Sequence, residues 1–348
     1  MTTPPASPEG LDLDALDRHL RAVGVPRSGD LRAELIAGGR SNLTFLVRDD
    51  ASKWVLRRPP LHGLTPSAHD MAREYRVVAA LADTPVPVAP AVTMSDDDAV
   101  LGAPFQMVEY VEGRVVRYAS ELEELEALGD KGTISDCVDA LIKVLADLHA
   151  VDPDAVGLGD FGKPSGYLER QVRRWGGQWE LVRRENDPSD ADVRRLHGAL
   201  AEAIPPQSRS AIVHGDYRID NTMLDADDPT RVLAVLDWEM STLGDPISDA
   251  ALMCVYRHPM FNVIHASSAW ASALMPEVDD LANRYAVASG QSLDNWDFYL
   301  ALGFFKVAII AAGIAFRARM GGGVADDAEQ VDQAVGPLIA EGLKTLNP

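Results

Sequence analysis

The chain has 348 residues, enough for about two domains of roughly 150 residues each. Its 32 Lys and Arg stand against 53 Asp and Glu, a formal net charge of −21, which excludes the basic footprint of a nucleic-acid or anionic-membrane binder. At 47% hydrophobic and 24% charged it is an ordinary globular chain with a large core, and its two cysteines, Cys137 and Cys254, exclude a disulfide scaffold. A cytoplasmic protein with two buried thiols is expected.

Residues 1–10 are rich in Pro and Thr and carry neither a basic stretch nor an apolar run, so a disordered tail is expected rather than a signal peptide. Leu11–Val23 places Leu13, Leu16, Leu20 and Val23 at helical spacing. Three strand-like runs follow, Leu31–Ala37, Leu43–Val47 and Lys53–Arg58, joined by turn chemistry at residues 38–42 and 48–52. Pro59 and Pro60 end the third, because proline cannot donate to a ladder. Ser67–Ala82 has a helical pattern, and the strand-like runs Ala91–Met94 and Phe105–Tyr110 flank an acidic turn at Asp96–Asp98. After Glu112-Gly113 helical patterns dominate, including Ile134–Ala150, Asp190–Ala203 and Tyr299–Arg319, and the exception is a β-rich island over Ala211–Trp238. Tyr299–Phe316 is the one membrane-like stretch; Gly303, Lys306 and Gly313 interrupt it, and a buried core helix is the expectation. The expected organisation is a small β-rich lobe over residues 11–111 and a larger, mostly helical lobe over 112–348, in the α+β class.

The island carries the strongest chemical signal. His214-Gly215-Asp216-Tyr217-Arg218-Ile219-Asp220-Asn221 places an Asn five residues after an Asp, in a loop between apolar runs. Sixteen residues after Asn221, Asp237 leaves the β-like run Val235-Leu236. Phosphoryl transfer uses this set: one carboxylate (Asp216) takes the proton of the attacking hydroxyl, while an amide oxygen (Asn221) and a second carboxylate (Asp237) suit Mg²⁺. An Asp–Asn loop alone is also ordinary turn chemistry, and it is the order and spacing of both halves that favour the functional reading.

These motifs, HGDxxxxN followed by Asp-Trp-Glu, resemble those of the aminoglycoside phosphotransferase family, whose fold is protein-kinase-like and bilobal. Gly39-Arg40-Ser41-Asn42 and the run Tyr167–Trp175 are similar to the subgroup that includes the kinase-like domain fused to animal acyl-CoA dehydrogenases. The resemblance covers about residues 30 to 320 and implies an alcohol-accepting phosphotransferase using ATP, with GTP not distinguished, and Mg²⁺. It implies that Gly39 and Ser41 cover the phosphates, that Arg57 stands where protein kinases carry a lysine, and that Glu74 is its ion-pair partner. It also sets the Glu109 carbonyl and the Val111 amide against the adenine edge. The Arg57 position departs from the protein-kinase pattern, since a guanidinium is a fork rather than a point charge.

For the acceptor, Arg170, Arg173, Arg174, Arg183 and Arg184 lie within fifteen residues and are opposed there only by Glu180. Arg218 adds a cation inside the loop. A basic face in an acidic chain suits an anionic substrate, and the subgroup resemblance implies a hydroxyl of a hydroxyacyl-CoA-like metabolite. Arginines paired with the surplus carboxylates are the bland alternative. An antibiotic kinase and a nucleotide-binding pseudokinase are the competing functions. Oligomeric state is not written in the sequence.

Overall fold

The computed structural model describes residues 8–37, 42–61, 70–127, 134–320 and 328–346. The expectations for Gly39 and Ser41 therefore lie outside the described residues. The backbone divides into two units, residues 1–112 with 233–239, and residues 113–232 with 240–348.

The first unit is built on a five-stranded sheet. In chain order its elements are α1 (Leu13–Ala22), β1 (Arg32–Ala37), β2 (Leu43–Arg48), β3 (Lys53–Arg58), α2 (Met71–Leu81), β4 (Ala91–Ser95), α3 (Asp98–Leu101) and β5 (Phe105–Glu109). The strand order is β1-β2-β3-β5-β4, and every neighbouring pair is antiparallel. Side chains alternate across such a sheet. Phe45, Val47, Trp54, Leu56, Phe105 and Met107 point to one face, where Leu16 and Leu20 of α1 complete a buried core. Arg57 and Gln106, directly opposite each other in the β3–β5 register, are on the other face, and α2 packs on β4 and β5. The acidic stretch expected as a turn at Asp96–Asp98 instead opens the short helix α3. Asp97 caps it by accepting from the Ala99 amide at 2.8 Å, and Gly102, at φ 76°, ends it.

The second unit holds α4 (Ala119–Ala127), α5 (Ile134–Ala150), α6 (Tyr167–Val182), α7 (Asp190–Glu202), β6 (Ala211–Val213), β7 (Thr222–Leu224), β9 (Thr242–Gly244), α8 (Pro246–Val255), α9 (Phe261–Ile264), α10 (Val278–Ser289), α11 (Trp296–Arg319), α12 (Ala328–Gln333) and α13 (Val335–Leu346), while β8 (Val232–Val235) begins in it and runs into the first. α11 is long and apolar enough to cross a membrane, but 78% of its most apolar window is buried inside the protein. It packs against α6, α7, α8 and α13 and is the central core helix of this unit. β6 is fully buried and pairs antiparallel with β9, Ile212 opposite Leu243. At the end of β9, Asp245 caps α8 with Pro246 as its first residue, a position where the missing N–H costs nothing.

Candidate active site

In the first unit, three side chains converge on one face of the sheet. Arg57 Nη1 donates to Glu74 Oε2 at 2.8 Å, and Gln106 Nε2 donates to the same oxygen at 2.7 Å. The cross-strand register places the two donors, and the first turns of α2 deliver the carboxylate. Glu74 is 3% exposed, and burial pushes its carboxyl above the usual carboxylate range, with Arg57 pulling it down and Asp237 adding to the rise. The other guanidinium nitrogen, Arg57 Nη2, lies 3.5 Å from Asp237 Oδ1. The fork thus joins the two carboxylates that sequence reasoning assigned separately, to α2 and to the end of the island.

Asp237 follows β8 with φ 62°, a left-handed conformation that costs most residues energy and that Asp tolerates better than most. Its Oδ1 is buried and accepts no hydrogen bond. A buried, unsatisfied carboxylate oxygen is a hard donor suited to a divalent cation. At the edge of the sheet the Glu109 amide donates to the Pro90 carbonyl at 2.8 Å. The Val111 amide donates to no described residue.

In the second unit, the loop from His214 to Asn221 leaves β6 and ends in a single 3₁₀ turn. Several groups fix its backbone. Asp249, 2% exposed, accepts from the His214 amide at 2.6 Å and the Gly215 amide at 2.9 Å. Lys306 Nζ donates to the Gly215 carbonyl at 2.7 Å, and Ser241 Oγ to the Val213 carbonyl at 2.8 Å. Gly215 adopts φ 85°, and a Cβ there would lie 2.9 Å from the Met240 Cβ and carbonyl oxygen, so only glycine fits the bend. Beneath it, His149 Nε2 is 3.4 Å from Asp249 Oδ2, and its Nδ1 is 2.8 Å from the Tyr285 hydroxyl. Burial holds His149 below the usual imidazole range despite the nearby carboxylate. Burial alone would raise Asp249, but the hydrogen bonds and charge from His149 and the His214 amide bring it below the usual carboxylate range. The pair therefore rests as neutral imidazole and carboxylate.

Asp216 itself is clamped. Its Oδ1 accepts from Arg218 Nη1 at 2.6 Å and from the Tyr256 hydroxyl at 2.5 Å. Its Oδ2 accepts from Asn221 Nδ2 at 3.0 Å, and the same nitrogen donates to the Asp216 carbonyl at 2.7 Å. With the amide nitrogen committed, the Asn221 oxygen has no partner among the described residues and is a hard donor of the kind a divalent cation takes. Among those residues no three His, Cys, Asp or Glu side chains gather into a metal cluster.

Of the basic residues, Arg218 is nearly buried; it also pairs with Asp220 at 2.6 Å and lies over the rings of Tyr256 and Phe261. Arg170 donates to the Lys163 and Ser165 carbonyls, Arg183 pairs with Glu180 and Arg184 with Asp332. Arg173 stays exposed without an ion pair to a described residue, and Arg174 is exposed over the Trp175 ring at 5.4 Å. Two residues of the site were missed from sequence. Tyr256 gives no signal forty residues from Asp216. Lys306 gave one: a lone cation in an apolar helix that is not a span needs a partner.

A kinase-like α+β fold with an Asp–Asn loop is a phosphotransferase architecture. The chain belongs to the phosphotransferase enzyme family, whose model matches residues 32–298. It is 33% identical to mouse acyl-CoA dehydrogenase family member 10 over 335 residues, 94% of this chain but 30% of that protein. The chain thus spans less than half the length of the curated relatives it matches. Among solved structures it is similar to a presumed aminoglycoside phosphotransferase from Ralstonia eutropha JMP134, at TM-score 0.80 and 34% identity, covering 96% of this chain and 98% of that one. It shares the fold of aminoglycoside phosphotransferase APH(4)-Ia, solved with AMP-PNP and hygromycin B, at TM-score 0.61, 16% identity and 94% and 98% coverage.

Proposed function

We propose that this protein is an ATP- and Mg²⁺-dependent kinase that moves the terminal phosphoryl group to a hydroxyl of an anionic small molecule of the hydroxyacyl-CoA type. The observation that carries the reading is the Asp216 carboxylate, held in a fixed plane by Asn221, Arg218 and Tyr256 and still partly open to solvent. A carboxylate so held orients an acceptor hydroxyl and takes its proton as the new O–P bond forms. Asn221 and Asp237 would hold the cation, which neutralises charge on the phosphates when bound. Arg57 would bind phosphate oxygens while its other arm is fixed by Glu74, and Glu109 and Val111 would take the base by their backbone.

The anionic acceptor is supported by the exposed Arg173 and Arg174, and by the likeness of the chain to part of proteins named for acyl-CoA chemistry. Cytoplasmic residence follows from the same reading. The deciding experiment is a transfer screen with labelled ATP and Mg²⁺ across hydroxyacyl-CoAs, aminoglycosides and simple alcohols. Saturable phosphorylation of a hydroxyacyl-CoA is expected. Turnover on an aminoglycoside alone would replace the substrate assignment, and no nucleotide binding at millimolar concentration would remove the kinase.

A further inference from the structure

An ionised carboxylate offers about four lone-pair positions, two on each oxygen. At Asp216 three are taken among the described residues. Arg218 Nη1 at 2.6 Å and the Tyr256 hydroxyl at 2.5 Å fill Oδ1, and Asn221 Nδ2 at 3.0 Å takes one position on Oδ2. We infer that Tyr256 is a positioning residue for phosphoryl transfer: with Arg218 it saturates Oδ1, so that the single free position on Oδ2 receives the acceptor proton. The inference rests on the reading of Asp216 as the base.

The placement of Tyr256 is built in. It is the residue that ends α8, its amide donating to the Leu252 carbonyl at 3.1 Å. The next residue, Arg257, donates to the carbonyls of Trp270, Ser272, Met275 and Pro276, so the turn over residues 270–276 is tied to the end of α8. The phenol ring also packs on Phe261 at 4.6 Å between centroids, and the Arg218 guanidinium lies 5.1 Å from it. Burial and the Asp216 charge push the phenol well above its usual range, so it stays a donor throughout the working pH range. In the transfer step the acceptor oxygen bonds to the γ-phosphorus and its proton passes to Oδ2. The bond from that phosphorus to the bridging oxygen breaks, and ADP leaves with the electron pair.

Tyr256→Phe removes the hydroxyl and leaves the ring between Arg218 and Phe261. With MgATP and 3-hydroxybutyryl-CoA, and with MgATP and water alone, kcat is expected to fall about 10- to 100-fold, the effect of losing one hydrogen bond to a charged group. The KM values and the melting temperature should not move. In an Asp216→Asn background the same substitution should cost nothing more, because both act on one carboxylate. Wild-type kcat in Tyr256→Phe, while Asp216→Asn is inactive, would overturn this inference alone. So would a parallel loss of stability, ATP binding and kcat, which marks a structural role. Turnover surviving Asp216→Asn would overturn the base assignment and this inference together.

Discussion

Arg57 and Glu74 meet at 2.8 Å across the first unit, one from the end of β3 and the other from the first turn of α2. The pair is not a surface bridge: Glu74 is 3% exposed, and Gln106 secures the same oxygen from the neighbouring strand. A guanidinium so anchored cannot swing, and its second arm already reaches Asp237 at 3.5 Å. A guanidinium is a fork that can reach two carboxylates at once, which a point-charge ammonium does less well.

Arg57→Ala should therefore weaken nucleotide binding about 10- to 100-fold, the loss of a charged hydrogen bond of about 1.5–3 kcal/mol, and lower the melting temperature by leaving Glu74 buried with Gln106 alone. Calorimetry with MgATP checks the first and thermal unfolding the second. Arg57→Lys should restore part of the affinity but not the contact with both acids.

Much of this was legible in the sequence. Lys53–Arg58 and Ile134–Ala150 occupy the spans their spacing predicts, because period-two alternation and a long apolar stripe each leave one way to bury the chain. The loop from His214 to Asn221 was legible as a loop between apolar runs, and it leaves β6 and ends in a 3₁₀ turn as that reading expects, but its burial, with His214, Tyr217 and Ile219 all packed inside, was not. What could not be read was anything set by tertiary contact. α4, α8 and α10 carry weaker patterns, and α8 is buried almost all round, so it has no polar face to betray its period. The arginine run looked like a single basic face. In the structure, Arg170 is spent on backbone carbonyls and Arg183 and Arg184 on acids, which leaves Arg173 and Arg174.

Gly215→Ala tests how tightly the loop from His214 to Asn221 is drawn. The added methyl meets the Met240 backbone at 2.9 Å and the residue must hold φ 85°. A loss of about 1–3 kcal/mol is expected from the conformation, and the contact adds to it. Urea unfolding should show the loss, with kcat falling further than stability because Asp216 is the next residue.

The buried His149–Asp249 pair predicts a pH signature. The folded pKa of His149 is depressed, so unfolded chains take up a proton below about 6.5 that folded chains refuse. Its contribution to stability is present above that value and is lost as pH falls toward the folded pKa. Asp249 is likewise depressed, and its contribution disappears only further down, below the usual carboxylate range. Denaturation measured between pH 7.5 and 5 should show stability falling with acidification. His149→Gln should flatten that slope, and an unchanged slope would mean that His149 titrates normally.

Asn221→Ala and Asp237→Ala should each raise the Mg²⁺ concentration needed for half-maximal turnover at least tenfold while the chain stays folded. Asp237 Oδ1 is unsatisfied, so removing it strands no donor except one arm of Arg57. Asn221 differs, because its amide nitrogen also orients Asp216. Its variant should lose kcat even at saturating Mg²⁺, whereas Asp237→Ala should recover part of it. Wild-type turnover of either variant at limiting Mg²⁺ would remove that residue from the metal assignment.

Asp216→Asn is the sharpest test of the reaction. The amide keeps the shape of the side chain and one acceptor oxygen but cannot hold a proton. General-base contributions are typically about 10²–10⁴-fold in rate, and a fall of that size in kcat is expected. The substitution also puts an NH₂ where Oδ1 or Oδ2 stood. If it faces Arg218 and Tyr256 it meets two donors and repels them, so the amide should turn its oxygen to that side. The acceptor then faces an NH₂ instead of a carboxylate, which removes orientation along with basicity. Because Asp216 is assigned to the acceptor and not to the nucleotide, MgATP affinity should be unchanged. A residue that served only the loop would behave otherwise, lowering melting temperature and nucleotide binding together. Measuring kcat, ATP affinity and thermal stability on this one variant separates the two, and a stable variant with wild-type turnover would show that the proton goes elsewhere.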